Sequence, residues 1–143
     1  MFQYSFLITV EHIYDALDPF IDRKTIRPDS DLNLEQGISG DDFDIVISEY
    51  AETFSVDMTS FCWYFHMSEE GSFYSIGAFF FNPPNKRVPY IAVTPQMLAD
   101  FANMGKWDID YPPHEIPKRR WDIFINQMLI VVYIICFLYS LLI

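Results

Sequence analysis

Apolar residues recur at Val10, Ile13, Tyr14, Leu17 and Phe20 or Ile21, a 3.6-residue period that predicts a first helix over about 6–22 even with Pro19 near its end. Glu11, Asp15 and Asp18 fall on the opposite face. Residues 23–38 lose the period. Arg27-Pro28, the turn-forming Asp29-Ser30-Asp31 and Gly37 leave only Leu32, Leu34 and Ile38 to tuck inward, which predicts a long ordered loop. Helical spacing returns after Ser39: Phe43, Val46, Ile47, Tyr50 and Phe54 form the apolar stripe of a second helix running to about Thr53, with Asp42, Glu49 and Glu52 on its wet side. Ser39 and Asp42 stand at capping-box spacing, and Asp41, Asp42 and Asp44 crowd the first turn, where the helix dipole favours negative charge.

Residues 59–67 are dense in aromatics and fit a short helix or an extended stretch equally well. From Ser72 to Phe81 and from Val88 to Val93 the side chains are mostly aromatic or β-branched, and Asn82-Pro83-Pro84-Asn85 separates the two runs, so a small β-hairpin is expected there. The alternation of a strand prevents Phe79, Phe80 and Phe81, with Tyr74 and Tyr90, from all facing one core, so some of these rings face outward. A further helix has clear punctuation, with Thr94 as N-cap, Pro95 in the first turn, Met97, Leu98 and Phe101 as its apolar face and Gly105 just past its end. Pro112, Pro113 and Pro117 then favour an extended spacer over 106–117.

The pattern changes again near the C-terminus. From Ile123 to Ile143 no residue is charged, and only Asn126, Gln127 and Ser140 are clearly polar. As a helix this run is ~31 Å long, enough for the ~30 Å hydrocarbon core of a bilayer. Lys118-Arg119-Arg120 and Trp121 precede it as a basic collar with an interfacial aromatic, and the positive-inside rule then predicts a single pass through a bacterial inner membrane with residues 1–120 cytoplasmic. Met1–Val10 is apolar but has neither a basic leader nor a small-residue cleavage site, so it does not read as a secretory signal. The expected organisation is an acidic domain over 1–105 with the hairpin near 72–93, a linker and collar over 106–120, and a transmembrane helix over 121–143.

Composition narrows the function. The 143-residue chain is 51% hydrophobic and 18% aromatic, too apolar for a disordered acidic chain, and its net charge of -11 opposes binding to a nucleic-acid backbone. Residues 1–117 hold 6 basic and 19 acidic residues, a net of -13, so a basic protein surface is the expected partner. Cys62 and Cys136 make no disulfide framework. His12, His66 and His114 have no zinc-ligand spacing, and Asp29-Ser30-Asp31-Leu32-Asn33 opens like a calcium loop but has Leu34 where glycine and Gly40 where glutamate is required. Cys62 and His66 are four apart, as a thiol and its base would be on a helix, without an orienting third group. No nucleophile elbow, phosphate loop or dinucleotide fingerprint occurs. No catalytic residue, metal or cofactor is expected.

Two stretches carry a resemblance. Gly37-Ile38-Ser39-Gly40-Asp41-Asp42-Phe43-Asp44-Ile45-Val46, followed by Glu52-Thr53-Phe54-Ser55-Val56-Asp57-Met58, resembles the start and end of the recognition helix of acyl carrier proteins. Together with Thr94–Trp107, this core more closely resembles an uncharacterised enterobacterial domain-of-unknown-function family related to acyl carriers. The resemblance implies a mainly α-helical, acyl-carrier-like domain whose acidic helix docks on basic partners, here through Asp41, Asp42, Asp44, Glu49 and Glu52. Gly40 stands where carriers have the phosphopantetheine serine, and Ser39 is its neighbour. The resulting expectation is a non-enzymatic, membrane-anchored acidic interaction module. A membrane-tethered acyl carrier modified at Ser39 and a small immunity or inhibitor protein for a basic toxin are the alternatives.

Overall fold

The computed structural model describes residues 7–69 and 75–142. Five α-helices occur among them: α1 Val10–Leu17, α2 Gly40–Phe54, α3 Ile76–Phe80, α4 Pro95–Met104 and α5 Trp121–Leu142, with single 3-10 turns at Asp18–Phe20, Trp63–Phe65 and Pro84–Lys86. α1 is shorter than its hydrophobic period at both ends. At its start, the Asn103 side chain accepts from Ile8 N–H at 2.8 Å and donates to Ile8 carbonyl at 2.7 Å, which holds that residue outside the helix. At its end, Pro19 has no N–H to continue the α pattern, and the chain tightens into the 3-10 turn.

Ile13 and Leu17 of α1, Phe43, Val46, Ile47 and Tyr50 of α2, and Leu98 and Phe101 of α4 meet in one core with Leu32, Val93 and Trp107. The Tyr50 hydroxyl donates to the Leu98 carbonyl at 2.7 Å, tying α2 to α4 inside that core. The loop before α2 is ordered by its own polar groups. Ser30 Oγ accepts from Arg27 N–H at 3.1 Å, Leu32 N–H reaches the Val93 carbonyl at 3.0 Å, and Asn33 Nδ2 donates to the His66 carbonyl at 2.9 Å.

The two helix starts differ in a way that spacing does not reveal. Thr94 caps α4 as expected, its hydroxyl accepting from Met97 N–H at 3.3 Å, and Gly105 closes that helix with φ 72°. Ser39 is the N-cap residue of α2, but its side chain makes no capping bond, so the expected capping box is absent. The next residue is the cause: Gly40 enters α2 with φ 55°, a left-handed turn that takes the Ser39 hydroxyl out of the usual capping geometry.

No strand occurs among the described residues, which corrects the expected hairpin. Residues 72–74 of its first arm lie outside the described set. The remainder of that arm is α3, begun by Ser75, whose hydroxyl accepts from Ala78 N–H at 2.9 Å. The second arm is extended but bonds singly to separate loops, with Ile91 N–H on the Phe65 carbonyl at 2.7 Å and the Val93 carbonyl on Leu32. Pro89 removes one ladder donor, and Gly77 and Ala78 let the first arm coil closely against another helix. Residues 59–67 contribute the 3-10 turn at Trp63–Phe65.

Residues 106–111 run back over the head. Asp57 and Lys106 form an isolated parallel bridge, with Asp57 N–H on the Gly105 carbonyl at 3.0 Å and Trp107 N–H on the Asp57 carbonyl at 2.9 Å. This places the Trp107 indole in the core at 1% exposure. α5 is one helix long and apolar enough to cross a membrane, and the head buries none of its apolar window.

The two caps separate in a stability measurement. In detergent, Thr94→Ala in the full chain lowers unfolding stability by about 1 kcal/mol, whereas Ser39→Ala costs under about 0.5 kcal/mol. Equal losses in denaturant unfolding would contradict this assignment.

Candidate functional site

Burial of one side of α2 dictates the other. With Phe43, Val46, Ile47 and Tyr50 turned into the core, Asp41, Asp42, Asp44, Glu49 and Glu52 are all exposed. None of the five forms an ion pair or side-chain hydrogen bond among the described residues. Three cations elsewhere in the head are already engaged by acids. Arg23 bridges Glu11, Asp15 and Asp18 along the outer face of α1, Arg27 reaches Asp29 at 3.4 Å and Glu35 at 3.3 Å, and Lys106 pairs with Asp108 at 2.6 Å. At the head of the acidic face, Ser39 is exposed while Gly40 is buried.

The calcium-like Asp-Ser-Asp start is used locally. Asp31 is buried, and its carboxylate accepts from Asn33 N–H at 2.8 Å, Leu34 N–H at 3.1 Å and the Tyr90 hydroxyl at 2.8 Å. Burial, then the bond to Asp31, pushes the Tyr90 phenol well above its ordinary range. Among the described residues no group of three His, Cys, Asp or Glu is placed to hold a metal ion.

Cys62 and His66 do not form a thiol–base pair. His66 is fully buried and both ring nitrogens are occupied, Nδ1 by the Ile91 carbonyl at 2.8 Å and Nε2 by the Tyr111 hydroxyl at 2.7 Å. The same hydroxyl accepts from Trp107 Nε1 at 2.8 Å and from Cys62 N–H at 3.3 Å, so its single proton goes to His66. His66 is therefore the neutral tautomer with its proton on Nδ1. Burial holds its pKa below the usual value against smaller upward pulls from the Ile91 carbonyl and Asp31.

A second cluster lies where the head meets α5. Arg120 lies in two carboxylate forks: its guanidinium meets Glu69 at 2.6 and 2.7 Å and Asp122 at 2.6 and 2.9 Å. Lys118 and Arg119 are exposed and form no ion pair among the described residues. Arg119, Arg120, Trp121 and Phe124 line an open hollow of about 460 Å³. Beside it, α3 presses on the first turn of α5 so closely that a Cβ on Gly77 would lie 1.8 Å from the Asp122 carbonyl oxygen. Asn126 completes the joint, its Oδ1 accepting from Gly77 N–H at 2.9 Å and its Nδ2 donating to Ser75 Oγ at 2.6 Å.

The collar residues thus divide into one neutralised arginine, two free cations and the 42% exposed Trp121. Glu69, Gly77, Asp122 and Asn126 were not singled out by sequence reasoning. Their signals are the small residues Ser75, Gly77 and Ala78 within an aromatic run and the polar Asn126 one turn past Asp122.

The family model described as protein of unknown function (DUF1493) matches residues 6–110, and the chain belongs to that family. No curated protein and no solved structure matches it.

The His66 network makes stability depend on pH with a definite sign. A histidine whose folded pKa lies below its unfolded value of about 6.5 contributes fully above that pH, and the contribution is lost as pH falls through the window down to the folded value. Thermal unfolding of the full chain in detergent is expected to weaken between pH 7.5 and 5.5, and His66→Gln flattens that slope. Parallel slopes would show that His66 is not the titrating group.

Proposed function

We propose that this chain is a non-enzymatic, membrane-anchored interaction module that offers the acidic face of α2 to a basic protein surface. The observation that carries this reading is the contrast in pairing: Arg23, Arg27, Lys106 and Arg120 are all met by acids elsewhere, while the five carboxylates of α2 have no counter-ion among the described residues. Clustered charge of one sign speeds encounter with a complementary surface and makes it sensitive to salt. The same acids favour their own helix near its start, so their number beyond the first turn, at Glu49 and Glu52, is what helix stability does not require. In this reading α5 crosses the bacterial inner membrane once, Lys118 and Arg119 lie on the cytoplasmic side, and the head is cytoplasmic.

A photo-crosslinking residue at Glu49 of the full chain is expected to capture a protein with a basic surface in intact cells. Converting Asp41, Asp42, Asp44 and Glu52 to their amides should reduce that adduct several-fold with the fold intact. An adduct of undiminished yield would overturn the acidic-face reading, and a captured toxin would specify the module as its inhibitor.

A tethered acyl carrier is the second reading, favoured by the exposed Ser39 hydroxyl that α2 does not use as a cap. Against it stands the positive φ of Gly40, the position that carriers give to the modified serine, since an L side chain there is strained. Co-expression with a phosphopantetheinyl transferase is expected to leave the intact mass unchanged. An added prosthetic arm, lost in Ser39→Ala, would replace the interaction module with a carrier.

A further inference from the structure

The junction of α3 with α5 points to a second membrane contact. Four large apolar side chains stand in the open on and just after α3: Ile76 at 57% exposure, Phe79 at 83%, Phe80 at 67% and Phe81 at 40%. Their height along α5 is fixed by atoms on the other side of the short helix. Gly77 abuts the Asp122 carbonyl, and its N–H is held by Asn126. Those two α5 residues are ~6 Å apart along the axis. α3 is therefore clamped beside the first turn of the uncharged run, level with Trp121 and Phe124, where a spanning helix passes through the headgroup region.

We propose that α3 is an interfacial wedge, lying in the same leaflet that α5 enters, with Ile76, Phe79 and Phe80 turned into lipid. This rests on the reading of α5 as a membrane span. Three observations select lipid as the occupant. α3 packs on α5, whose own apolar side chains Ile123 and Phe124 are exposed in its first turn. Asn126, a polar side chain inside the apolar run, has both ends of its amide satisfied by α3, which is the screening such a group needs in a bilayer. Four amides on and just after α3 are paired within the protein, the N–H groups of Gly77, Ala78, Phe79 and Phe81 being bonded to Asn126, Ser75 Oγ, the Ser75 carbonyl and the Gly77 carbonyl, which lowers the cost of leaving water. Lys118 and Arg119, exposed just before α5 and in no ion pair among the described residues, would face anionic headgroups.

The test is depth-dependent quenching on the full chain in liposomes containing anionic phospholipid. With Cys62 and Cys136 replaced by Ser, a fluorophore is placed in turn at Phe79→Cys, at Tyr133→Cys in the middle of α5 and at Glu11→Cys on the outer face of α1. Lipid-borne nitroxides are expected to quench Phe79 several-fold more than Glu11, most strongly with the nitroxide near the headgroup, while Tyr133 is quenched best by deep nitroxides. Quenching at Tyr133 with Phe79 matching Glu11 would overturn the wedge and leave the span standing. A Phe79 label shielded from lipid and aqueous quenchers alike would replace the wedge with a protein contact. Absence of lipid quenching at Tyr133 would overturn the span and the wedge together.

Discussion

The hydroxyl of Tyr111 is the point on which the head is assembled. It takes hydrogen bonds from Trp107 Nε1 and Cys62 N–H and gives its proton to His66, whose other nitrogen donates to the Ile91 carbonyl. Three stretches distant in sequence are thereby fixed to one another inside an aromatic shell, with Phe61 stacked on the His66 ring at 5.5 Å and edge-on to Trp107 at 4.9 Å. Each polar group in this chain is satisfied only while the others are present. Loss of Tyr111 leaves the buried His66 and Trp107 nitrogens without their partner, at about 1–3 kcal/mol for each that stays out of water. The relay also determines where the polypeptide goes next, because the path from α4 must cross the head as far as Tyr111 before it can turn toward α5.

Local signals were read from the sequence where local forces decide the outcome. α4 needs only Thr94, Pro95 and Gly105 to set its limits, and the stripe from Phe43 to Tyr50 places the acids of α2 on the wet side without reference to any other element. Tertiary partners decided the rest. The start of α1 is displaced by Asn103, some 95 residues away, and the Ser39 cap is undone by a glycine conformation that spacing does not encode. The expected hairpin failed for a related reason: aromatic and β-branched runs say that a segment can pair as a strand, not that a partner lies alongside. Here the first run met α5 and coiled.

The junction was the least legible part because its residues look ordinary one at a time. Glu69 and Arg120 are 51 positions apart, Gly77 and Asn126 are 49 apart, and neither pair has a motif. What the sequence presented as a uniform collar is electrostatically uneven. Arg120, held by Glu69 and Asp122, has its charge confined within the protein, and the carboxylates pull its pKa still higher than that of a free arginine. Of the collar cations, Lys118 and Arg119 form no ion pair among the described residues.

This unevenness matters for how the head would sit on a bilayer. Surface charge acts over about 8–10 Å at physiological ionic strength. Two free cations and a patch of exposed rings at the junction favour close approach at that end, while a head of net -13 is repelled by an anionic leaflet wherever its own acids come near. The two forces meet close together, because Asp44 of α2 shares a small hollow with Glu69, the partner of Arg120 at the junction. A head tilted onto a bilayer at the junction would therefore carry Asp44 down with the exposed rings. The unpaired acids at the start of α2 thus oppose the close approach that the rings of α3 favour, and the balance between them depends on ionic strength.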